Sequence, residues 1–163
     1  MKKILTNSKL LSLLFPILFY VLFFFPVMDL NKIIGGPDAV RYSYPARYYL
    51  WESIKEGRYP FWTERLFGGY PIYTDSEHAY TSILNILSVV VLGPFNSYKF
   101  LHFTFYYIGS ISLIFFLKRK GINLISSLSA AVIYYFSFFL LYHQQHLSMT
   151  LTAYLMPLGI YLA

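Results

Sequence analysis

All seven acidic residues lie between Asp29 and Glu77, and six basic ones, Lys32, Arg41, Arg47, Lys55, Arg58 and Arg65, are interleaved with them. Side chains able to move protons or hold phosphate are thus gathered in one window. Asp38 follows the turn-forming Gly35, Gly36 and Pro37, close to the end of a long apolar run. A carboxylate at an apolar boundary is partly desolvated, which makes it a stronger base than free Asp and fit to take a proton from a substrate hydroxyl. The same position also suits a plain turn or cap aspartate. Asp29, directly after the apolar run, reads as the residue that ends a helix at an interface. Arg41, Arg47, Arg58 and Arg65 offer the bidentate geometry that clamps a phosphate, although a solvated surface of mutually paired charges uses the same residues.

The stretch from Arg58 to Tyr73 reads RYPFWTERLFGGYPIY. Bare Gly68 and Gly69 allow close backbone approach, and the faces of Trp62 and Tyr70 can stack on a sugar; an aromatic belt at a membrane surface has the same composition. Asp75, Glu77 and His78 form a further polar knot, which either joins the site from the far end of the window or is solvated. His143 and His146 make an HxxH pair on one helical face, with His102 elsewhere in an apolar run. Such a pair can ligate a divalent metal or touch phosphate. With no carboxylate near it in sequence, a hydrogen-bonded interfacial role is the better expectation, and no cofactor or metal ligand is assigned.

The elements that must position these groups are apolar. Of 163 residues, 57% are hydrophobic and 12% charged, against roughly 25% charged in a soluble domain. A soluble fold of this size could not hide that much apolar surface, so the lipid bilayer is the expected partner. The net charge of +6 points to nucleic acid only superficially, because six of the thirteen Lys and Arg flank apolar runs at Lys2, Lys3, Lys9, Lys118, Arg119 and Lys120. Nucleic acid is therefore not an expected partner. The absence of cysteine excludes disulfides and thiolate metal sites.

An uncharged run of about 20 residues can cross the hydrocarbon as a helix. Residues 1–28 read as a cytoplasmic end and a first transmembrane helix from Leu10 to Met28, kinked at Pro16; it is too long for a signal-peptide core and lacks a cleavage site. Residues 29–98 read as a large first extracytoplasmic loop. It is expected to carry an amphipathic helix over 45–56 lying on the membrane surface, with Ala46, Tyr49, Leu50 and Ile54 on its apolar face and Arg47, Glu52 and Glu56 opposite. The short apolar run 83–92, before Gly93 and Pro94, is expected to be re-entrant or interfacial, since a full crossing there would put the basic cluster at 118–120 outside. Residues 99–163 read as transmembrane helices 2 to 4, over 100–117, 124–142 and from 147. The last apolar run reaches Ala163 without charge, cap or turn, so a longer protein is expected, of which this is the amino-terminal piece.

The order GGPDAVRYSYPARYYLWESIKEGRYPFWTERLFGGYP resembles the first outer loop of the YfhO family of bacterial membrane proteins, which are GT-C type, polyprenyl-phosphate-sugar dependent glycosyltransferases. The resemblance rests on Asp38, Tyr44 with Pro45, Gly57, Pro60 with Trp62, and Gly68, Gly69 with Pro71, and continues more loosely to the Pro157 region. Thr63 with Glu64, and Tyr80 with Thr81, depart from the family's usual residues. The resemblance implies an all-α, polytopic, GT-C-like fold in the bacterial plasma membrane. It further implies Asp38 as catalytic base in moving a sugar from a polyprenyl-phosphate donor to a hydroxyl acceptor of the cell envelope at the outer face. A phosphate leaving group departs as a stable anion, so one base and a cationic clamp suffice where a glycosidase needs two carboxylates.

Two other readings compete. A transporter or flippase for a lipid-linked or polar substrate normally places charges or broken helices at mid-membrane, and no Asp, Glu, Lys or Arg falls inside an expected span. A non-catalytic membrane subunit or fragment would need none of the chemistry.

Overall fold

The computed structural model describes residues 2–29, 32–65 and 67–163, and every regular element among them is a helix. The α-helices are α1 (Lys2–Phe24), α2 (Tyr44–Lys55), α3 (Ile83–Arg119), α4 (Leu124–Tyr135), α5 (Phe138–Tyr142) and α6 (Leu147–Leu162). The chain divides into two compact units: Met1–Lys32 with Phe103–Leu141 and Leu151–Ala163, and Ile33–His102 with Tyr142–Thr150.

In the first unit, Tyr20, Phe24, Tyr106, Ile114, Ala131, Tyr135, Leu140 and Tyr154 form a buried, largely aromatic core. Buried phenols need acceptors, and the helices supply carbonyls. Pro157 in α6 has no N–H for the carbonyl of Ala153, and the Tyr134 hydroxyl donates to that carbonyl at 2.9 Å. Tyr135 donates to the Tyr154 carbonyl at 2.9 Å and Tyr106 to that of Pro16 at 3.2 Å. Gly109 of α3 is obligatory for this packing, because a Cβ there would lie 1.9 Å from the Tyr154 oxygen. Lys118, at the end of α3, donates to Ser8 Oγ at 2.7 Å.

The outside of this unit is apolar. Leu10, Leu14, Leu18 and Leu22 recur every fourth residue along α1 and are each more than half exposed, while Ser12 on the same helix is buried. Ile125, Ile133 and Phe138 are likewise exposed. Two described helices are long and apolar enough to cross a membrane, Ile83–Arg119 and Leu124–Gln145; the apolar stretches Ser8–Phe24 and Leu147–Leu162 are shorter.

The run 83–92 forms a helical stretch of its own, set off at Gly93 (φ 75°, ψ 173°) from the stretch that runs on to Arg119, and the two together are α3. Gly93 accepts that conformation, and Pro94 restarts the helix at a position where its missing N–H costs nothing. One expectation changes at this level: in α2, Arg47 does not join a polar face. Tyr44, Ala46, Arg47, Tyr49, Leu50 and Ser53 are all buried, because α2 is covered over a wider arc than one apolar stripe.

The second unit has its own core of Ala46, Tyr49, Leu50, Ile72, Tyr80 and Val89. Its irregular segments are tied by phenols. Tyr80 donates to the Ala46 carbonyl at 2.6 Å, Tyr49 to that of Trp62 at 2.5 Å, and Tyr44 bonds both the N–H and the carbonyl of Ile34. Thr63 and Tyr70 exchange backbone hydrogen bonds of 2.9 and 2.8 Å around the turn that contains Gly68 and Gly69.

Candidate acid–base site

Three segments of the second unit bring titratable groups together. Asp38 stands at the entry of a π-helical turn, Ala39–Ser43, that leads into α2, and its carboxylate makes no capping hydrogen bond to that turn. Its backbone is held instead by Gln145, whose Oε1 accepts from the Asp38 N–H at 3.4 Å, while the Gln145 carbonyl accepts from Ser43 Oγ at 2.9 Å. This approach depends on Gly36, since a Cβ there would come within 2.4 Å of Gln145 Oε1.

The second segment is the irregular stretch carrying Asp75, Glu77 and His78. Asp75 accepts the Glu77 N–H at 2.8 Å and the Tyr70 hydroxyl at 3.0 Å, and lies 3.7 Å from His78 Nε2. Asn85 of α3 donates to the carbonyls of His78 and Ala79 at 3.0 and 3.1 Å. The third segment is the 3-10 turn His143–Gln145 with His146 behind it.

His146 joins the other two. Its Nδ1 is 2.7 Å from Glu77 Oε1 and its Nε2 is 3.8 Å from Asp38 Oδ2. With the Nδ1 proton given to Glu77, Nε2 presents a lone pair toward Asp38, and a hydroxyl lodged between them can donate to either. A base oriented by a second group is the arrangement that proton abstraction requires. A cavity of about 240 Å3 adjoins these groups, lined by Asp38, Tyr42, Phe67, Tyr70, Asp75, Glu77, His78 and His146. Three carboxylates favour hydroxyl or cationic ligands over a free phosphate there, and the aromatic walls can cover the apolar face of a sugar.

Burial pushes the His78 imidazole below its ordinary value, with Asp75 and Glu77 opposing, so it stays neutral at pH 7. The hydrogen bond to Asp75 raises the Tyr70 phenol, which keeps it a donor. Burial lowers Arg47 to about 10, the nearby phenols of Tyr98, Tyr44 and Tyr80 opposing, and leaves it a cation at neutral pH.

Of the residues singled out in the sequence, Asp38, Tyr70, Asp75, Glu77, His78 and His146 meet at this cavity. The arginines are elsewhere. Arg41 is exposed, Arg58 pairs with Glu56 at 2.5 Å, Arg65 pairs with Glu52 at 2.6 Å, and Arg47 is buried among neutral groups. Gly69 packs on the Trp62 ring, where a Cβ would lie 2.6 Å from the indole, and Gly68 has open space around it. His143 and His146 flank a 3-10 turn that brings their rings to 6.0 Å, and His146 is the one that reaches the cavity. Among the described residues no group of three or more His, Asp or Glu is arranged to hold a metal ion.

Sequence reasoning missed Tyr42, Phe67, Gln145 and Asn85. A lone Asn within the apolar run ILNILSVVVL was the one available signal for Asn85. Nothing local marks His146 as the partner of Glu77.

No family model, no curated protein and no solved structure matches this chain.

Proposed function

We propose that the chain acts in a multi-pass bacterial plasma-membrane glycosyltransferase of GT-C-like architecture, its amino terminus cytoplasmic. It moves a sugar from a polyprenyl-phosphate donor to a hydroxyl acceptor of the cell envelope at the outer face. The observation that carries the reading is the Asp38 carboxylate beside His146, itself held by Glu77, in the lining of a cavity that also carries Tyr42, Phe67 and Tyr70. The outward leucines of α1 and the two long apolar helices support a membrane setting, and the resemblance of the residue order to the YfhO family agrees with it.

In the proposed step Asp38 takes the proton of the acceptor hydroxyl as its oxygen bonds to the anomeric carbon. The bond from that carbon to the phosphate oxygen breaks, and the lipid phosphate leaves with the electron pair. Glu77 holds the His146 Nδ1–H, so that the Nε2 lone pair faces Asp38 and helps draw the hydroxyl proton toward it. Because no arginine lines the cavity, the acceptor and the sugar are assigned to it, and the donor phosphate to a position outside it. The test is transfer from a polyprenyl-phosphate sugar in membranes, comparing the unaltered protein with Asp38→Asn. Equal turnover removes Asp38 from the chemistry.

A further inference from the structure

Arg47 is 2% exposed, and among the described residues none of its hydrogen-bond partners is a carboxylate. Its Nε donates to the Pro94 carbonyl at 3.3 Å and to Ser97 Oγ at 3.2 Å, its Nη2 reaches Ser88 Oγ at 3.5 Å, and its Nη1 donates to Asn85 Oδ1 at 2.6 Å. A buried cation satisfied only by neutral dipoles is costly, so a benefit elsewhere has to accompany it.

That benefit lies one bond away. A guanidinium only donates, so Asn85 must turn its oxygen toward Arg47 and its two N–H groups the other way. They meet the carbonyls of His78 and Ala79. Ala79 has a φ of 49°, a left-handed conformation unfavourable for a residue with a Cβ, and it directly follows the segment that carries Asp75, Glu77 and His78. The carboxamide thus clamps a strained backbone whose Glu77 side chain holds His146.

We infer that Arg47 is a positioning residue, acting through Asn85 to fix the 75–79 segment so that Glu77 holds His146 toward Asp38. The role rests on the site proposed above, but its primary readout needs no turnover. In the intact 15N-labelled protein, the Asn85 carboxamide protons exchange slowly and His146 shows an Nδ1 proton held by Glu77. Free exchange of the Asn85 carboxamide overturns the inference without any substitution.

Asn85→Asp keeps an acceptor for Arg47 and removes both donations to the backbone carbonyls. The expected result is loss of the His146 Nδ1 signal and a fall in kcat of about a hundredfold with KM little changed, the cost of a displaced catalytic group. A folded Asn85→Asp protein that keeps that signal overturns the inference. Where Asn85→Asp does not fold, the exchange rate in the unaltered chain decides. Loss of the signal in Asn85→Asp, where the unaltered protein transfers no sugar, supports the positioning role and removes the transferase. Survival of the signal in Asn85→Asp, where the unaltered protein does transfer sugar, does the reverse.

Discussion

Glu77 Oε1 and His146 Nδ1 are 2.7 Å apart across 69 positions of sequence. The contact gives His146 a fixed orientation, and through it Asp38 gains a neighbour able to share a proton. Either side chain alone would be an ordinary polar residue of a surface loop.

Replacing Asp38 by Asn should lower sugar transfer by about 10²- to 10⁴-fold, the usual worth of a general base. Asp29→Asn serves as the control and should leave turnover near that of the unaltered protein. Glu77→Ala should lower kcat further than Glu77→Gln, because Gln still offers an oxygen to the His146 N–H. Initial rates with a defined polyprenyl-phosphate sugar decide all four.

Orientation can be read from Lys55, at the end of α2, whose ammonium lies 3.7 Å from the Trp51 ring centroid. The chain has no cysteine, so Lys55→Cys introduces a single thiol. A membrane-impermeant maleimide should label it in intact cells. Labelling only after lysis would place α2 in the cytoplasm and remove the donor from its reach.

The depressed His78 pKa has a pH signature with a definite sign. Below the ordinary imidazole value of 6.5 the unfolded chain takes a proton that folded His78 does not, until the folded pKa is reached. Stability should therefore fall as the pH drops through that window, by at most about 1.4 kcal/mol per pH unit, and level off below the folded pKa. Thermal unfolding in detergent between pH 7 and 5 measures the slope. His78→Asn should flatten it.

Gly109→Ala should destabilise the first unit by about 1–3 kcal/mol or block its packing, since the new methyl would overlap the Tyr154 carbonyl. Gly57→Ala meets no atom within 4 Å, but its φ of 71° makes it mildly strained. The two variants therefore separate steric overlap from backbone preference in one unfolding experiment.

The sequence discloses its helices where composition alone decides them. The uncharged runs become α1, the later part of α3, α4 and α6, and the stretch after Pro45 becomes α2. It misleads where one residue type serves two environments. Arg47 has the spacing of a polar-face residue and is buried, because the second cover on α2 comes from residues 38 to 50 positions away. The break at Gly93 is legible from its Gly-Pro pair, but not that the helix resumes directly at Pro94 rather than near residue 100. Much of the acid–base site is readable, since Asp38, Asp75, Glu77, His78 and His146 stand out as titratable groups in an apolar chain. Its assembly is not, because distant contacts leave no periodicity in the residues that make them.

The phenol bonds imply an uneven tolerance to conservative drift. Exchanging a phenol for a phenyl ring preserves volume and greasiness, so on composition all seventeen tyrosines look interchangeable with phenylalanine. Exposed Tyr48 and Tyr73 should accept the swap freely in a saturation screen. Tyr44, Tyr80, Tyr106 and Tyr135 should not, because each loses one oxygen that silences a buried main-chain dipole.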